Sequence, residues 1–190
     1  NIINSILVSL LSYLPKWIVK PFASPYVAGI TVDQAVNTVK SLNQKGYVTT
    51  LDILGEHVHS EEESYRIRDE YRMLFDTIAN DLLDENISIK PTHLGMEISP
   101  DLADKNILSI LDKAKEHNNF LRIDMENSPY TDDTLKIYHK CISKYDKVGV
   151  VHQSYLHRTE SDINNLNNNK DDLRRSVAGP VRIGVTHCVP

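Results

Sequence analysis

Short apolar segments alternate with amphipathic segments along most of this chain, and this alternation restricts the fold more than any other feature of the sequence. The apolar segments are rich in β-branched and aromatic residues, which is typical of strands. Because these segments are nearly continuous in apolar character, we expect a parallel sheet that is buried on both faces. We predict four strands, at residues 47–54, 87–94, 120–126 and 148–156.

Helix-start signals precede each of the amphipathic segments. Thr31 and Ser60 each begin a capping box, in which the side chain of the first residue and that of a Gln or Glu three positions later satisfy free backbone N–H groups. Ser99 precedes a proline at the first helical position, and Thr131 precedes an acidic first turn. We predict four helices, at residues 31–44, 60–84, 99–117 and 131–145.

Large apolar side chains recur at helical spacing along the second of these helices. Intervals of three and four residues place such side chains on one side of a helix. We therefore expect this side to pack in the core, against the predicted sheet. Its members are Tyr65, Tyr71, Phe75, Ile78, Leu82 and Leu83.

Strands that alternate with helices at intervals of roughly 30 to 40 residues predict an α/β fold. An open doubly wound sheet and a (βα)8 barrel both fit this pattern. No glycine-rich phosphate-binding motif follows any of the predicted strands, which weighs against the nucleotide-binding open sheets. A full barrel takes about 250 residues, so we predict a partial (βα)8 barrel of about four to five units. The expected divisions are an N-terminal helical segment at 1–45, the barrel domain at 46–163 and an irregular or truncated tail at 164–190.

Charge and apolar composition narrow the classes of function and location. The chain has 21 Lys and Arg against 26 Asp and Glu, a net charge of −5, so we expect no nucleic-acid partner. The most apolar stretch, residues 1–19, is interrupted by Pro15 and Lys16 before it reaches the length of a spanning helix. We expect it to pack on the domain, with a peripheral membrane contact as the alternative. The two cysteines and the lack of a recognisable signal peptide favour the cytoplasm, or a mitochondrion if the protein is eukaryotic.

Ionisable side chains lie at the carboxyl ends of the second and third predicted strands, where a buried parallel strand should be apolar. Lys90 alternates with isoleucines, and Asp124 and Glu126 alternate with apolar residues. Since side chains of a strand alternate between faces, these three should point into the barrel mouth, the face where barrel enzymes place their chemistry. Lys90 and Asp124 are expected to form either a structural ion pair or a pair whose cation binds a substrate carboxylate.

Two further polar groups lie near strand ends. Asp52 follows the first apolar run, and Gln153 lies within the fourth. An amide both donates and accepts hydrogen bonds, which suits the edge of a heterocycle. A purely structural amide is the alternative interpretation of Gln153.

Histidines near the same strand ends raise a different hypothesis, a metal-dependent barrel hydrolase or isomerase. Imidazole and carboxylate groups in such positions are able to ligate a divalent ion. The spacing is unspecific, so we keep this as the alternative function. The residues concerned are His57, His59, His93, His152 and Glu126.

Four segments of the sequence together resemble the proline dehydrogenase family, a family of flavin-dependent (βα)8 barrels. These segments read TLDILGE, ISIKPTHLGMEIS, NFLRIDMENSPYTDDTL and VGVVHQSYLHRTESDI. The resemblance extends from about residue 15 to residue 163. It implies oxidation of L-proline to Δ1-pyrroline-5-carboxylate with hydride transfer to FAD, and an electron acceptor such as a membrane quinone.

The resemblance also implies roles for individual residues. Lys90 matches the lysine that contacts the substrate carboxylate, and Asp124 matches an active-site aspartate. Met125 matches the residue whose backbone contacts the flavin, and Gln153 matches the glutamine that hydrogen-bonds the isoalloxazine. Arg174 stands at the place of an arginine near flavin N5.

After about residue 169 the sequence departs from the pattern of the family. The Leu173-Arg174 pair is followed by RSVAGPV instead of the expected K-G-x-Y. Two alternatives therefore stay open beside an active enzyme. One is an inactive fragment, and the other is a degenerate half-barrel whose open sheet edges pair with another chain.

Overall fold

The computed structural model describes residues 28–29, 31–55, 57–153, 156–168 and 183–187 of the 190-residue chain. For residues 167–168 and 183–187 the description is confined to the backbone. The apolar segment 1–19, Arg174 and most of the predicted tail lie outside the described residues. The predicted membrane contact and the predicted role of Arg174 therefore stay predictions.

The strands of the described chain form one parallel sheet in the order β4-β3-β2-β1-β5. From β1 to β4 each strand is added beside the preceding one, always in the same direction across the sheet. This is the winding of a barrel, since the strand order of a doubly wound sheet reverses part-way. The predicted α/β fold with parallel strands is confirmed. The strands are β1 (Thr49–Ile53), β2 (Glu85–Ile89), β3 (Leu121–Ile123), β4 (Val148–Val150) and β5 (Ile183–His187).

Two helices begin directly after the capping residues that the sequence predicts, whereas Thr131 is the first residue of its helix and does not cap it. The Thr31 side chain accepts a hydrogen bond from the backbone N–H of Gln34, and the Ser60 hydroxyl accepts one from Glu63 at 3.1 Å. Among the described residues no helix is both long enough and apolar enough to cross a membrane. The helices are α1 (Val32–Gln44), α2 (Glu61–Asn80), α3 (Pro100–Glu116), α4 (Thr131–Lys144) and α5 (Thr159–Asn168).

The strands end earlier than the sequence predicts, so several candidate site residues lie in loops. Pro91 has helical dihedral angles (φ −57°, ψ −36°) and precedes the 3₁₀ turn Thr92–Leu94. A proline has no N–H to donate to a neighbouring strand, which explains why β2 stops at Ile89. The pairing of β2 with β3 nevertheless extends by one hydrogen bond, in which the Asp124 N–H donates to the Ile89 carbonyl at 2.9 Å.

The predicted apolar side of α2 lies in the core only in part. Tyr71, Phe75 and Ile78 are buried, and they form one cluster with residues of the strands and of α3 and α4. The prediction is wrong for Tyr65, which is exposed, and for Leu82, which is 91% exposed. Leu82 follows the end of α2 in the turn to β2 and has a φ of +52°, so its side chain leaves the helical spacing.

Regular structure is also present where the sequence predicts a tail. Helix α5 extends to Asn168, and β5 pairs with β1 along its whole length. Strand β5 thus lies beside β1 on the side opposite β2.

A glycine in β4 allows a close approach within the sheet. A Cβ atom at Gly149 would lie 2.6 Å from the ring of Phe120, so the aromatic ring occupies the space that a larger residue would need.

Candidate active site

The register of the sheet brings the predicted polar residues to one face. Asp52 of β1 is paired in register with Ser88 of β2, and Ser88 is paired in register with Arg122 of β3. Lys90 and Asp124 follow two positions later on their strands, so they share that face. The apolar positions between them belong to the core formed with the helices. The cation and the carboxylate singled out by the sequence are therefore on the same side of the sheet.

Two ion pairs form on this face, and they do not follow the pairing that the sequence suggests. The Lys90 amine lies 2.5 Å from the Asp52 carboxylate, and the Lys90 and Asp52 side chains are 19% and 5% exposed. Asp124 instead accepts from the guanidinium of Arg122 at 3.0 Å, and the same Arg122 nitrogen donates to Ser88 at 3.0 Å. The expected structural partner of Lys90 was Asp124, whereas its close partner here is Asp52.

Asp52 is held from a second direction by a helix. The buried Tyr71 hydroxyl of α2 donates to the Asp52 Oδ1 atom at 3.0 Å, while Lys90 donates to Oδ2. Burial raises the pKa of Asp52, and the Lys90 amine and the Tyr71 hydrogen bond act against that rise. Burial and the neighbouring Asp52 charge raise the pKa of Tyr71 well above its usual value, so this hydroxyl stays a donor.

Glu126 joins the loops that follow β2 and β3. Its Oε2 atom accepts from the Thr92 backbone N–H at 2.6 Å, and its other oxygen accepts from the Thr92 hydroxyl. Because the Glu126 carboxylate receives both hydrogen bonds from Thr92, it links the loop after β2 to the loop after β3. Glu126 thus contributes to the shape of the loops around the mouth.

Gln153 and Met125 are in contact at the ends of β4 and β3. The side-chain amide nitrogen of Gln153 donates to the Met125 backbone carbonyl at 3.3 Å. The backbone carbonyl of Gln153 accepts from the Thr159 hydroxyl at 2.6 Å. The side-chain oxygen of Gln153 and the Nε2 atom of His152 are buried and have no hydrogen-bond partner among the described residues. An unsatisfied buried polar atom costs about 1–3 kcal/mol, so these atoms are suited to the donor groups of a ligand.

The histidines of the metal hypothesis do not come together with Glu126 in the part of the chain that the structure describes. The Nδ1 atom of His57 lies 2.7 Å from a carboxylate oxygen of Glu97. His93 is buried, and the carboxylate of Glu126 is bound to Thr92. None of the four belongs to a described group of three side chains close enough to share a metal ion: His57, His59, His93 and Glu126.

One group of three potential ligands does exist among the described residues, at a different place. Asp76, Glu116 and His117 lie on α2 and at the end of α3, away from the strand ends. The amine of Lys113 lies 2.9 Å from Asp76 and 3.1 Å from Glu116. Because a cation already contacts both carboxylates, this group is a surface ion-pair network.

Sequence reasoning gave no role to two residues that shape the site. Asp52 was noted only as a polar group near a strand end, and Tyr71 only as a core residue. A charge in the middle of the run TTLDIL was the available signal for Asp52. No sequence signal pointed to Tyr71, because a buried hydroxyl cannot be distinguished from a ring that merely packs.

Comparisons with known proteins identify relatives of this chain. The chain is similar to proline dehydrogenase 1 of Bacillus subtilis subsp. natto, with 38% identity over 152 residues, which is 80% of this chain and 50% of the relative. It is 35% identical over 159 residues to proline dehydrogenase 2 of Bacillus subtilis strain 168, covering 84% of this chain and 52% of the relative. The chain thus spans about half the length of the curated relatives it matches.

A solved structure has the same fold. Proline utilization A from Bdellovibrio bacteriovorus, inactivated by N-propargylglycine, superposes with a TM-score of 0.74 at 23% identity, over 80% of this chain and 19% of that one. This likeness confirms the predicted partial-barrel fold class. The family model described as proline dehydrogenase matches residues 35–178. The chain belongs to the proline dehydrogenase family.

Proposed function

We propose that this chain supplies the substrate-binding lysine and part of the flavin site of an enzyme that oxidises L-proline to Δ1-pyrroline-5-carboxylate. One observation carries the proposal. The amine of Lys90 lies at the carboxyl edge of the sheet, held by Asp52 and on the same face as Asp124. This is the edge at which barrel enzymes bind their substrates.

Lys90 is suited to bind the carboxylate of L-proline. An ammonium group is a compact charge with three donors, which suits it to bind a carboxylate. Asp124, held by Arg122, lies on the same face and contributes a negative charge, which suits a substrate that also carries an amino group. Lys90 and Asp124 thus offer opposite charges to the two ends of an amino acid.

Gln153 and Met125 are the residues that we propose to contact the cofactor. The family is flavin-dependent, and FAD, when bound, would accept the hydride removed from proline. The unpartnered buried oxygen of Gln153 fits an N–H group on the edge of a heterocycle. The Met125 carbonyl orients that amide by accepting from its nitrogen. These two residues therefore position the cofactor and modify its electronic properties through hydrogen bonds.

The charge of the described site indicates that further cations take part. Lys90 and Arg122 face three carboxylates, those of Asp52, Asp124 and Glu126. A site with more negative than positive groups binds a substrate carboxylate weakly unless another cation is added. We propose Arg174 as one such cation, in the catalytic role that the resemblance implies.

The direct test is an assay of the chain with FAD, L-proline and a dye acceptor. We expect bound flavin absorbance and its bleaching by L-proline without oxygen. Lys90→Met removes a charged hydrogen-bond donor worth about 1.5–3 kcal/mol, so the affinity for L-proline should fall about 10- to 100-fold. Unchanged affinity for L-proline in Lys90→Met contradicts the proposal.

A matched control for this variant is an exposed lysine. Lys136 is paired with Asp133 on the surface of α4, and its side chain is 75% exposed. Lys136→Met carries the same chemical change and should leave proline affinity unaltered. A similar loss in both variants would mean that the effect of Lys90→Met is not local to the site.

We further propose that a membrane quinone accepts the electrons and that the protein is cytoplasmic. A peripheral membrane contact through residues 1–19 is the alternative to packing of this segment on the domain. Sedimentation of the chain with lipid vesicles tests the contact. A chain that stays in the supernatant contradicts it. No observation on the described residues favours the metal-dependent alternative.

A further inference from the structure

We infer that Tyr71, on a helix outside the sheet, is a positioning residue for Lys90 and acts through Asp52. Its hydroxyl and the Lys90 amine hold the two oxygens of one buried carboxylate. The inference deepens the proposed function and rests on it, since the amine of Lys90 is the group proposed to bind the substrate carboxylate.

The geometry of the three side chains supports a fixed arrangement. Tyr71 donates to Oδ1 of Asp52 at 3.0 Å, and Lys90 donates to Oδ2 at 2.5 Å. A carboxylate with one partner rotates about its last bond, whereas two donors on different oxygens fix its plane. The Tyr71 hydroxyl also lies 3.4 Å from the Ile53 carbonyl, so the backbone of β1 orients it in turn. Asp52 is therefore a rigid acceptor for Lys90.

Burial explains why a single partner would not be enough. Tyr71 is fully buried and Asp52 is nearly so. Removing a carboxylate from water favours its neutral form, and the nearby charge of Asp124 adds to this effect. The hydroxyl of Tyr71 stabilises the ionised form. Together with the Lys90 amine, Tyr71 opposes the effect of burial on the Asp52 carboxyl group.

A flexible lysine benefits from such a support. Its side chain has several rotatable bonds, and ordering them only when substrate arrives would reduce the affinity. In this chain the Asp52 carboxylate already holds the amine in place. Asp52 and Tyr71 thus reduce the conformational entropy that Lys90 loses on binding, without contacting the substrate themselves.

The first experiment compares wild type with Tyr71→Phe and needs no ligand. The variant keeps the ring and loses only the hydroxyl. Carbon-13 NMR should show the pKa of Asp52 raised by about one pH unit, the equivalent of one lost hydrogen bond. Nitrogen-15 NMR should show faster solvent exchange of the Lys90 ammonium protons, by about 5- to 10-fold.

A matched control variant is Tyr138→Phe. Tyr138 is buried to the same degree, but it lies on α4 and belongs to the core. Its loss of a hydroxyl should leave the Asp52 and Lys90 signals unchanged. If Tyr71→Phe also leaves them unchanged, or if Tyr138→Phe moves them equally, the inference is wrong.

A second variant covers the case in which Tyr71→Phe does not fold. Asp52→Asn keeps the shape of the side chain and removes its charge, so the Lys90 ammonium protons should exchange faster by at least 10-fold. Exchange at the wild-type rate would overturn the inference, because Lys90 would then be held by something other than Asp52.

An added titration with L-proline separates this inference from the proposed function. In wild type we expect L-proline to shift the Lys90 signal, and in Tyr71→Phe we expect a dissociation constant about 3- to 10-fold higher. A wild-type Lys90 signal that L-proline does not move contradicts the proposed function alone. Weakened restraint of Lys90 with unchanged affinity for L-proline contradicts the positioning role alone.

Discussion

Polar side chains are buried at both ends of β1 and β2, yet the two ends differ in charge and in pairing. At the carboxyl end Asp52 lies between the Lys90 amine and the Tyr71 hydroxyl, and both donate to its carboxylate. At the amino end the carboxyl group of Glu85 has a single hydrogen bond, from Thr49 at 3.2 Å, and no cation beside it among the described residues.

The unpaired atoms at the amino end make the contrast sharper. Three side-chain atoms at this end are buried without partners among the described residues: one oxygen of Glu85, the Thr50 hydroxyl and the side-chain amide oxygen of Asn86. Burial raises the pKa of Glu85 to about 8, so its carboxyl is neutral at pH 7. Among the described residues, a cation and a second donor oppose the effect of burial on the carboxyl group only at the end proposed to be catalytic.

The largest expected effect comes from breaking the ion pair at the carboxyl end. Lys90→Met leaves the buried Asp52 charge without its cation, and we expect a loss of about 3 kcal/mol in the free energy of unfolding at pH 7. Urea denaturation measures this loss. Asp52→Asn added to Lys90→Met should restore much of it, because no buried charge then remains. A loss below about 0.5 kcal/mol in the single variant would mean that Asp52 is well solvated, contrary to its burial.

The amino end should respond in the opposite direction. Because the pKa of Glu85 is about 8 in the folded chain and about 4.5 when unfolded, the unfolded state releases its proton first. Stability should therefore decline between pH 4.5 and pH 8. Glu85→Gln removes this decline and should stabilise the chain at pH 8 by about 4 kcal/mol.

Urea denaturation of Glu85→Gln at pH 5 and pH 8 provides the measurement. At pH 5 the variant and wild type should differ little. A variant that is less stable than wild type at pH 8 would indicate that the Glu85 carboxylate is paired, and the contrast between the two ends would disappear.

A smaller effect is expected from a neutral histidine near the carboxyl end. Burial, and then the Lys90 charge, lower the pKa of His93 to about 4. A Cβ atom at Gly55 would lie 2.2 Å from its Nε2 atom, so the ring packs tightly under the loop that follows β1. The unfolded state gains a proton near pH 6.5, whereas the folded state gains one near pH 4. Stability should therefore decrease as the pH falls from 6.5 towards 4, by about 1–2 kcal/mol at pH 5.

His93→Gln should flatten this part of the pH profile and leave the profile above pH 7 parallel to that of wild type. Thermal unfolding between pH 5 and pH 8 measures both. Equal slopes in wild type and His93→Gln would show that the ring titrates as it does in water.

Much of the architecture follows from local sequence signals. The alternation of apolar and amphipathic segments predicted parallel strands between helices, and the capping residues Thr31 and Ser60 predicted where two helices begin. Each of these signals involves only a few consecutive residues, so it can be recognised without knowledge of the tertiary fold. The side-chain period of two likewise placed Lys90 and Asp124 on one face before their strands were paired.

Long-range relationships were less accessible. The pairing of β5 with β1 depends on which neighbours the folded chain provides. The spacing of residues along the sequence does not specify those neighbours, which explains why residues 164–190 had no predicted strand.

The sequence alone determined that a cation and a carboxylate share the carboxyl edge of a parallel sheet, because strand periodicity is a local property. Only the tertiary structure decided that Lys90 pairs with Asp52, that Asp124 pairs with Arg122, and that a helix hydroxyl joins the first pair. Partners of this kind depend on strand register and on how a helix packs across the sheet. Strand register and helix packing both depend on the whole core, so neither can be predicted from a short segment of the chain.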